Sequence, residues 1–309
     1  MKQLYNDFGT WIRRQLPYRV QKITIDAGFT CPNRDGRLGT GGCIYCNNAS
    51  FNPSYCHRNL SVTKQLEEGK AFFHKKYPDM KYLAYFQAFT NTYASLSHLK
   101  ELYEEALSVE GVVGLVIGTR PDCVTEGLLD YLVEIKGTLD SPPSTLDSRP
   151  LIMVEYGVES ANDETLRRIN RGHDFACSRR AIEMTASRGL ITGAHIILGL
   201  PGEDEQESLR QAPIISSLPI DILKIHQLQV IRGTQLAEIY QQEPFRLYTV
   251  DEYISLVARY IRLLRPDIVL ERFVSQSPEE LLIAPKWGLK NHEFTDKLNA
   301  YLSNTVNCK

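Results

Sequence analysis

The sequence predicts an α/β fold built on a parallel β-sheet, and three observations predict it. Apolar runs alternate regularly with amphipathic segments along the chain. Runs such as LIMVEYG (151–157) and VVGLVIG (112–118) are apolar nearly throughout, as parallel strands covered on both faces require. A turn-rich loop bearing three cysteines follows the first run directly, where a parallel strand would end.

The elements follow in order. Strand-like runs lie at 22–27, 82–89, 112–118, 151–157, 194–199 and 222–230. Helix-like segments separate them at 63–76, 97–108, 125–136, 163–188 (two helices) and 204–217. Strands alternating with helices imply βαβ units. Six units build an open barrel or a doubly wound sheet, and periodicity leaves both open. The 309 residues suit six units and an extension, and are tight for a full eight-unit barrel with insertions. Residues 137–150, rich in Pro, Ser and Thr, read as a surface loop. Beyond 233 the pattern turns helical, with one apolar run at 268–274. The predicted organisation is a basic and aromatic extension (1–20), a catalytic core (21–236) and a mainly helical region (237–309).

Formal charge is −2, from 35 Lys and Arg against 37 Asp and Glu. Any nucleic-acid partner must therefore be met by a local patch, not by bulk charge. No run of about eighteen apolar residues spans a membrane, and the N-terminus lacks signal-peptide features. A cytoplasmic location is expected. Seven cysteines without a secretion signal argue against a disulfide framework. Cys31, Cys43, Cys46 and Cys56 crowd into one segment, while Cys123, Cys177 and Cys308 stand apart.

The loop TCPNRDGRLGTGGCIYCNNAS (30–50) holds the candidate metal ligands Cys31, Cys43 and Cys46. Its glycines, Asn33 and Asp35 allow tight turns, so three sulfurs can converge. Three thiolates suit an iron–sulfur cube with one open iron. Structural zinc asks for a fourth ligand, which Cys56 or His57 can supply. Both readings stand on spacing alone.

The segment CPNRDGRLGTGGCIYC resembles the radical S-adenosylmethionine (SAM) superfamily, in the variant found in YhcC/YtqA-like proteins. There eleven residues separate the first two cysteines, against the usual three. The resemblance covers about 22–236 and implies a partial (β/α)6, TIM-like barrel. It implies a [4Fe–4S] cluster on the three cysteines and SAM on the open iron. Reductive cleavage of SAM would give a 5′-deoxyadenosyl radical. Tyr45 stands where relatives place an aromatic beside the adenine.

The fourth unit, VEYGVESANDETLRRINRGHD, resembles oxygen-independent coproporphyrinogen dehydrogenase and the Elongator catalytic subunit. By that match Glu159 binds the SAM ribose or methionine end, and Arg171 pairs its carboxylate. On their own the two residues read as a helix N-terminal acid and a solvated helix end. Where relatives carry a Gly-Gly-Glu-like segment, this chain has FQAFTNTYAS, and Gln87, Thr90 and Asn91 are the polar substitutes. His195 lies in AHIILGLPGEDEQES, either as a SAM neighbour or as a satisfied core histidine. Arg120 ends the third strand, at the barrel mouth or its rim.

In ILKIHQLQVIRGTQL, alternation puts Lys224 and His226 on one face. A lysine inside a buried run needs a reason, and a lined cavity is one. Both are candidate substrate-side catalytic residues. Lys2, Arg13, Arg14, Arg19 and Lys22 interleave with Tyr5, Phe8, Trp11 and Tyr18. They form either an RNA surface or an amphipathic helix packed on the barrel. Lys286, Trp287, Lys290 and His292 either cap the mouth or touch substrate.

The family resemblance implies a tRNA partner and an electron donor such as flavodoxin or ferredoxin. The expected reaction is conversion of a wobble-uridine carboxymethylaminomethyl group to aminomethyl. The alternatives are a radical SAM enzyme of a small metabolite, and a non-catalytic, zinc-stabilised binding protein. No second cysteine triad supports an auxiliary cluster.

Overall fold

The computed structural model describes residues 4–50, 52–74, 79–137 and 149–306. Most of the 137–150 loop, Lys2, Lys76 and Cys308 lie outside them. The chain opens with strand β1 (Asn6–Asp7) and helix α1 (Phe8–Gln15). Five strand–helix units follow: β2 (Val20–Ile25) with α2 (Val62–His74), β3 (Lys81–Phe86) with α3 (Leu96–Ser108), β4 (Val112–Thr119) with α4 (Glu126–Lys136), β5 (Leu151–Glu159) with α5 (Asp163–Arg168) and α6 (Phe175–Ala186), and β6 (Ile191–Leu198) with α7 (Glu205–Ser216). Strand β7 (Ile222–Gln227) completes the six expected strands. It stops short of the expected 230, because Val230–Ile231 forms a separate short strand, β8. Then come α8 (Gln235–Gln242), α9 (Val250–Arg262), β9 (Val269–Arg272), β10 (Leu282–Ala284) and α10 (Asn291–Val306).

The main sheet has eight strands in the order β1-β9-β7-β6-β5-β4-β3-β2, and every pair in it is parallel. Two strands exceed the six expected. The N-terminal extension supplies β1, and the apolar run near 268–274 supplies β9 beside β7. β8 and β10 form a separate antiparallel pair.

The sheet curls into a partial barrel. β2 and β9 lie far apart in the strand order, yet Lys22 Nζ and Glu271 Oε1 are 2.6 Å apart. Only a sheet bent back on itself brings them together.

Period-two alternation divides the strands. On β5, Ile152, Val154, Tyr156 and Val158 pack outward against the helices, while Leu151 and Met153 join the inner cluster. On β7, Leu223 and Ile225 face out and Ile222 faces in. The inner apolar layer gathers residues near the strand starts, including Leu83, Val116, Leu151, Ile222 and Val269. Helix α1 closes it with Ile12, Phe8 and Trp11. Asp7 caps α1 by accepting from the Thr10 amide at 2.8 Å. Of the two readings of the basic N-terminus, the packed amphipathic helix is the one found. Arg13, Arg14 and Arg19 are exposed at the barrel end away from the strand termini where ligands bind.

Candidate active site

Further up the barrel the inward residues turn polar: Lys22 on β2, Tyr85 on β3, Glu155 on β5, His195 on β6, Lys224 on β7 and Glu271 on β9. Glu155 is fully buried and accepts from Lys22 Nζ at 3.0 Å, Lys224 Nζ at 2.7 Å and His195 Nε2 at 3.0 Å. Glu271 takes Lys22 at 2.6 and 2.7 Å. Lys224 also donates to the Tyr85 hydroxyl at 3.2 Å. Burial alone would raise the Glu155 carboxyl, but Lys22, Lys224 and His195 outweigh it and hold it well below the usual range.

Above this ionic layer lies a cavity of about 270 Å3. Most of the predicted site residues line it: Cys31, Cys43, Cys46, Tyr45, Gln87, Thr90, Glu159, Arg171, His195 and His226. Lys224 does not. It is buried beneath the floor, its ammonium committed to Glu155, so it braces the cavity instead of lining it. His226 meets Ser275 Oγ through Nδ1 at 2.5 Å. Burial first, then His195, Arg272 and Lys224, hold the His226 ring well below its ordinary pKa, and therefore neutral. Asn91, the third polar substitute, braces two strands instead. Its amide donates to the Phe86 and Gly118 carbonyls at 3.0 and 2.7 Å. Arg120 is buried, lines the cavity, and pairs Asp122 in bidentate fashion at 2.9 and 2.8 Å.

The long cysteine spacing is accommodated by a loop that folds onto itself. The Arg34 and Asp35 amides bond the Cys31 carbonyl at 2.8 and 3.1 Å. The Gly42 amide returns to the Asn33 carbonyl at 2.7 Å, which carries Cys43 back beside the start of the loop. Gly42 has φ +75°, and a Cβ there would stand 2.9 Å from the Arg34 guanidinium. Asn33 then clasps the loop to the turn after α5. Its amide donates to the Asn170 carbonyl at 2.5 Å and to that of Arg171 at 3.2 Å. Asn170 answers by donating to the Gly42 carbonyl at 2.7 Å.

Truncating Asn33 to Ala leaves buried carbonyls unpaired and is expected to cost about 1–3 kcal/mol. A thermal melt should fall by several degrees, and Cys43 should alkylate faster. Unchanged values in both measurements would refute the clasp.

The clasp also fixes Arg171. Its Nη1 lies 3.6 Å from Cys43 Sγ, and its Nη2 donates to the Gly157 carbonyl at 2.5 Å and stands 3.8 Å from Glu159 Oε1. Its Nε is buried without a partner. Glu159 sits at φ +65°, where the β5–β6 register shifts. Such a conformation in a non-glycine residue costs about 1–3 kcal/mol and clusters at functional sites. Gly157 makes room, since a Cβ there would fall 2.5 Å from Glu159 Oε1 and 2.7 Å from Arg171 Nη2.

Cys56 belongs elsewhere. It packs in the core between sheet and helices, and burial, then Asp26, pushes its thiol up to about 12. His57 is exposed. Among the described residues no three His, Cys, Asp or Glu side chains converge on one metal ion. The zinc site completed by Cys56 or His57 is therefore not formed. The three ligands of a cube bind three different irons, and so stand farther apart than ligands of one ion. Sequence reasoning missed Tyr85, Glu155 and Glu271, and gave Lys22 and Asn33 other roles, as part of a basic N-terminus and as a turn residue. Charge inside an apolar run, the signal that marked Lys224, is equally present at Lys22 and Glu155.

Residues 34–210 match the family model for the radical SAM superfamily, and residues 220–304 match the Radical_SAM C-terminal domain. Protein YhcC of Escherichia coli (strain K12) is 35% identical over 303 residues, spanning 98% of this chain and 94% of that protein. A tRNA uridine(34) acetyltransferase of Methanocaldococcus infernus is 27% identical over 157 residues, spanning 50% of this chain and 27% of that protein. Among solved structures, the archaeal Methanocaldococcus infernus Elp3 with an N-terminal deletion superposes with a TM-score of 0.68 at 17% identity, over 94% of this chain and 64% of that one. An enzyme superfamily leaves no place for the non-catalytic binding module. The curled parallel sheet, the three-cysteine loop at its strand ends and these matches agree: the chain belongs to the radical SAM superfamily, in the group that contains YhcC, and is an enzyme.

Proposed function

We propose that this enzyme matures the wobble uridine of tRNA, converting a carboxymethylaminomethyl side chain to aminomethyl. The observation that carries the reading is one cavity lined by Cys31, Cys43, Cys46, Tyr45, Glu159 and Arg171, opening beside a second cleft. That cleft, about 460 Å3, shares Gln227, Gln229, Ser275, Gln276 and Ser277 with the first. Its walls carry Lys286, Trp287 and Lys290, a pairing of cations with a stacking surface that suits RNA. The partial likeness to a protein named for tRNA uridine 34 supports the same substrate.

The residues fit the family's cofactors. Three thiols share a cavity with a buried guanidinium whose Nε has no partner, and Gly157 leaves room for the Glu159 and Arg171 side chains beside it. Cys31, Cys43 and Cys46 would hold the [4Fe–4S] cluster. Arg171 would pair the SAM carboxylate, Glu159 would bind its ribose or methionine end, and Tyr45 would lie against the adenine. Gln87, Thr90 and His195 offer further polar contacts. With both groups bound, an electron from a donor such as flavodoxin or ferredoxin would cleave SAM to a 5′-deoxyadenosyl radical able to abstract a substrate hydrogen. The chain's own part is to orient and to exclude water. His226, held neutral and tied to Ser275, offers the substrate a hydrogen-bonding group at the cavity wall. Lys224 acts through Glu155, as a positioning residue.

Nucleoside analysis of tRNA from cells lacking the protein tests the reading. Accumulated carboxymethylaminomethyl uridine with aminomethyl uridine lost is the expected result; an unchanged profile rejects it. Binding should weaken steeply with salt. The Lys286→Gln, Lys290→Gln double variant should weaken it roughly tenfold at physiological salt. Removing Arg13 and Arg14, at the far end of the barrel, should leave it unaltered. The reverse ranking would place the RNA on the other face.

A further inference from the structure

Among the described residues, Arg272 is a cation on the barrel's inner face that no carboxylate pairs. Lys22 and Lys224 share the two carboxylates Glu155 and Glu271. Arg272, next in the chain to Glu271, lines the cavity, and among the described residues no carboxylate pairs it. Consecutive residues of a regular strand point to opposite faces, yet Glu271 and Arg272 both face the interior. The register explains this. Leu223 pairs with Leu270, but Lys224 pairs with Arg272, so β9 carries one extra residue at Glu271. A bulge of this kind re-aims a side chain, and bulges gather beside active sites.

The surroundings of Arg272 suit a ligand. His226, Gln227, Gln229 and Ser275 line the same part of the cavity. The nearby Glu155 and Glu271 are already engaged by two lysines. A half-buried guanidinium without a partner is costly unless an anion arrives. Its planar fork matches a carboxylate in bidentate fashion.

We infer that Arg272 receives a carboxylate of the substrate, making it the residue that selects an acidic side chain over a neutral one. This rests on the proposed function, in which the group removed carries a carboxylate. The inference goes further by naming the recognising residue and predicting discrimination by charge.

The test uses the anaerobically reconstituted holoenzyme with two tRNA substrates. One carries the carboxymethylaminomethyl group; in the other the carboxylate is a neutral primary amide. The wild-type protein should prefer the acid. Arg272→Met should raise KM for the acid roughly a hundredfold, leave the amide within about twofold, and so abolish the preference. Arg272→Lys should restore part of it. SAM binding measured without tRNA should be unchanged in both variants. Equal losses on acid and amide, no loss on either, or weakened SAM binding would overturn the inference while leaving the proposed function standing. A wild-type protein inactive on the acid would overturn the proposed function and, with it, the assigned substrate.

Discussion

Replacing any one of Cys31, Cys43 or Cys46 by Ala is expected to abolish both cluster binding and activity. Anaerobically reconstituted wild-type protein should hold about four iron and four sulfide per chain and be brown. Each variant should hold less than about one iron and show no turnover, because two thiolates leave a second iron of the cube uncapped. Cys56→Ala is the control that separates ligation from folding. Cys56 is buried in the core outside the barrel, where a cysteine acts as a small hydrophobe. That variant should keep its iron while losing about 1 kcal/mol of stability. The Cys31 and Cys46 variants should melt near the wild-type apoprotein, since both residues are only partly buried, while the Cys43 variant, at a buried position, should lose about as much as Cys56→Ala. Full iron in any of the three variants, or a lone colourless zinc in the wild type, would dismiss the cluster.

The fold was legible where one residue type decides the issue. Apolar runs marked all six strands from β2 to β7, because parallel strands are covered on both faces. β1 escaped because its residues, Asn6 and Asp7, carry no apolar signal and pair only through the backbone with Val269 and Leu270. β9 was visible as an apolar run, but its place beside β7 is a matter of topology that no local pattern encodes. At the site, the cysteines announced themselves by spacing. Asn33 did not, because an asparagine in a glycine-rich loop reads as a turn residue. Its clasp depends on Asn170 and Arg171, well over a hundred residues away. Lys224 was correctly singled out as anomalous, yet alternation could not tell a cavity wall from the layer beneath it. Arg272 was hidden for a different reason: strict alternation from Glu271 points it outward, and only the bulge reverses that.

Glu155→Gln is expected to be the most destabilising single change in the barrel. Glu155 is the common acceptor for Lys22, Lys224 and His195, all at 3.0 Å or less. The amide keeps the shape but not the charge, and its nitrogen can only donate. Two buried ammonium groups would then share Glu271 alone, with Lys224 Nζ 3.5 Å from it. Leaving such a charge uncompensated costs about 3–5 kcal/mol, or about 5–8 °C in a chain of this size. The sign of the pH dependence follows from the folded state. The Glu155 carboxyl is held well below its ordinary value of 4.5, so its contribution is fully present above that value. It is lost as pH falls from there through the depressed folded value. Urea titrations from pH 7 downward should show a constant wild-type advantage over Glu155→Gln down to about pH 4.5, shrinking below it. His195 loses its carboxylate partner in the same variant and is free to turn towards the cavity. Activity should therefore fall by more than the loss of folded protein explains. A variant that melts within a degree of wild type, or whose deficit is the same at every pH, would mean that the ionic layer fills space without holding the barrel together.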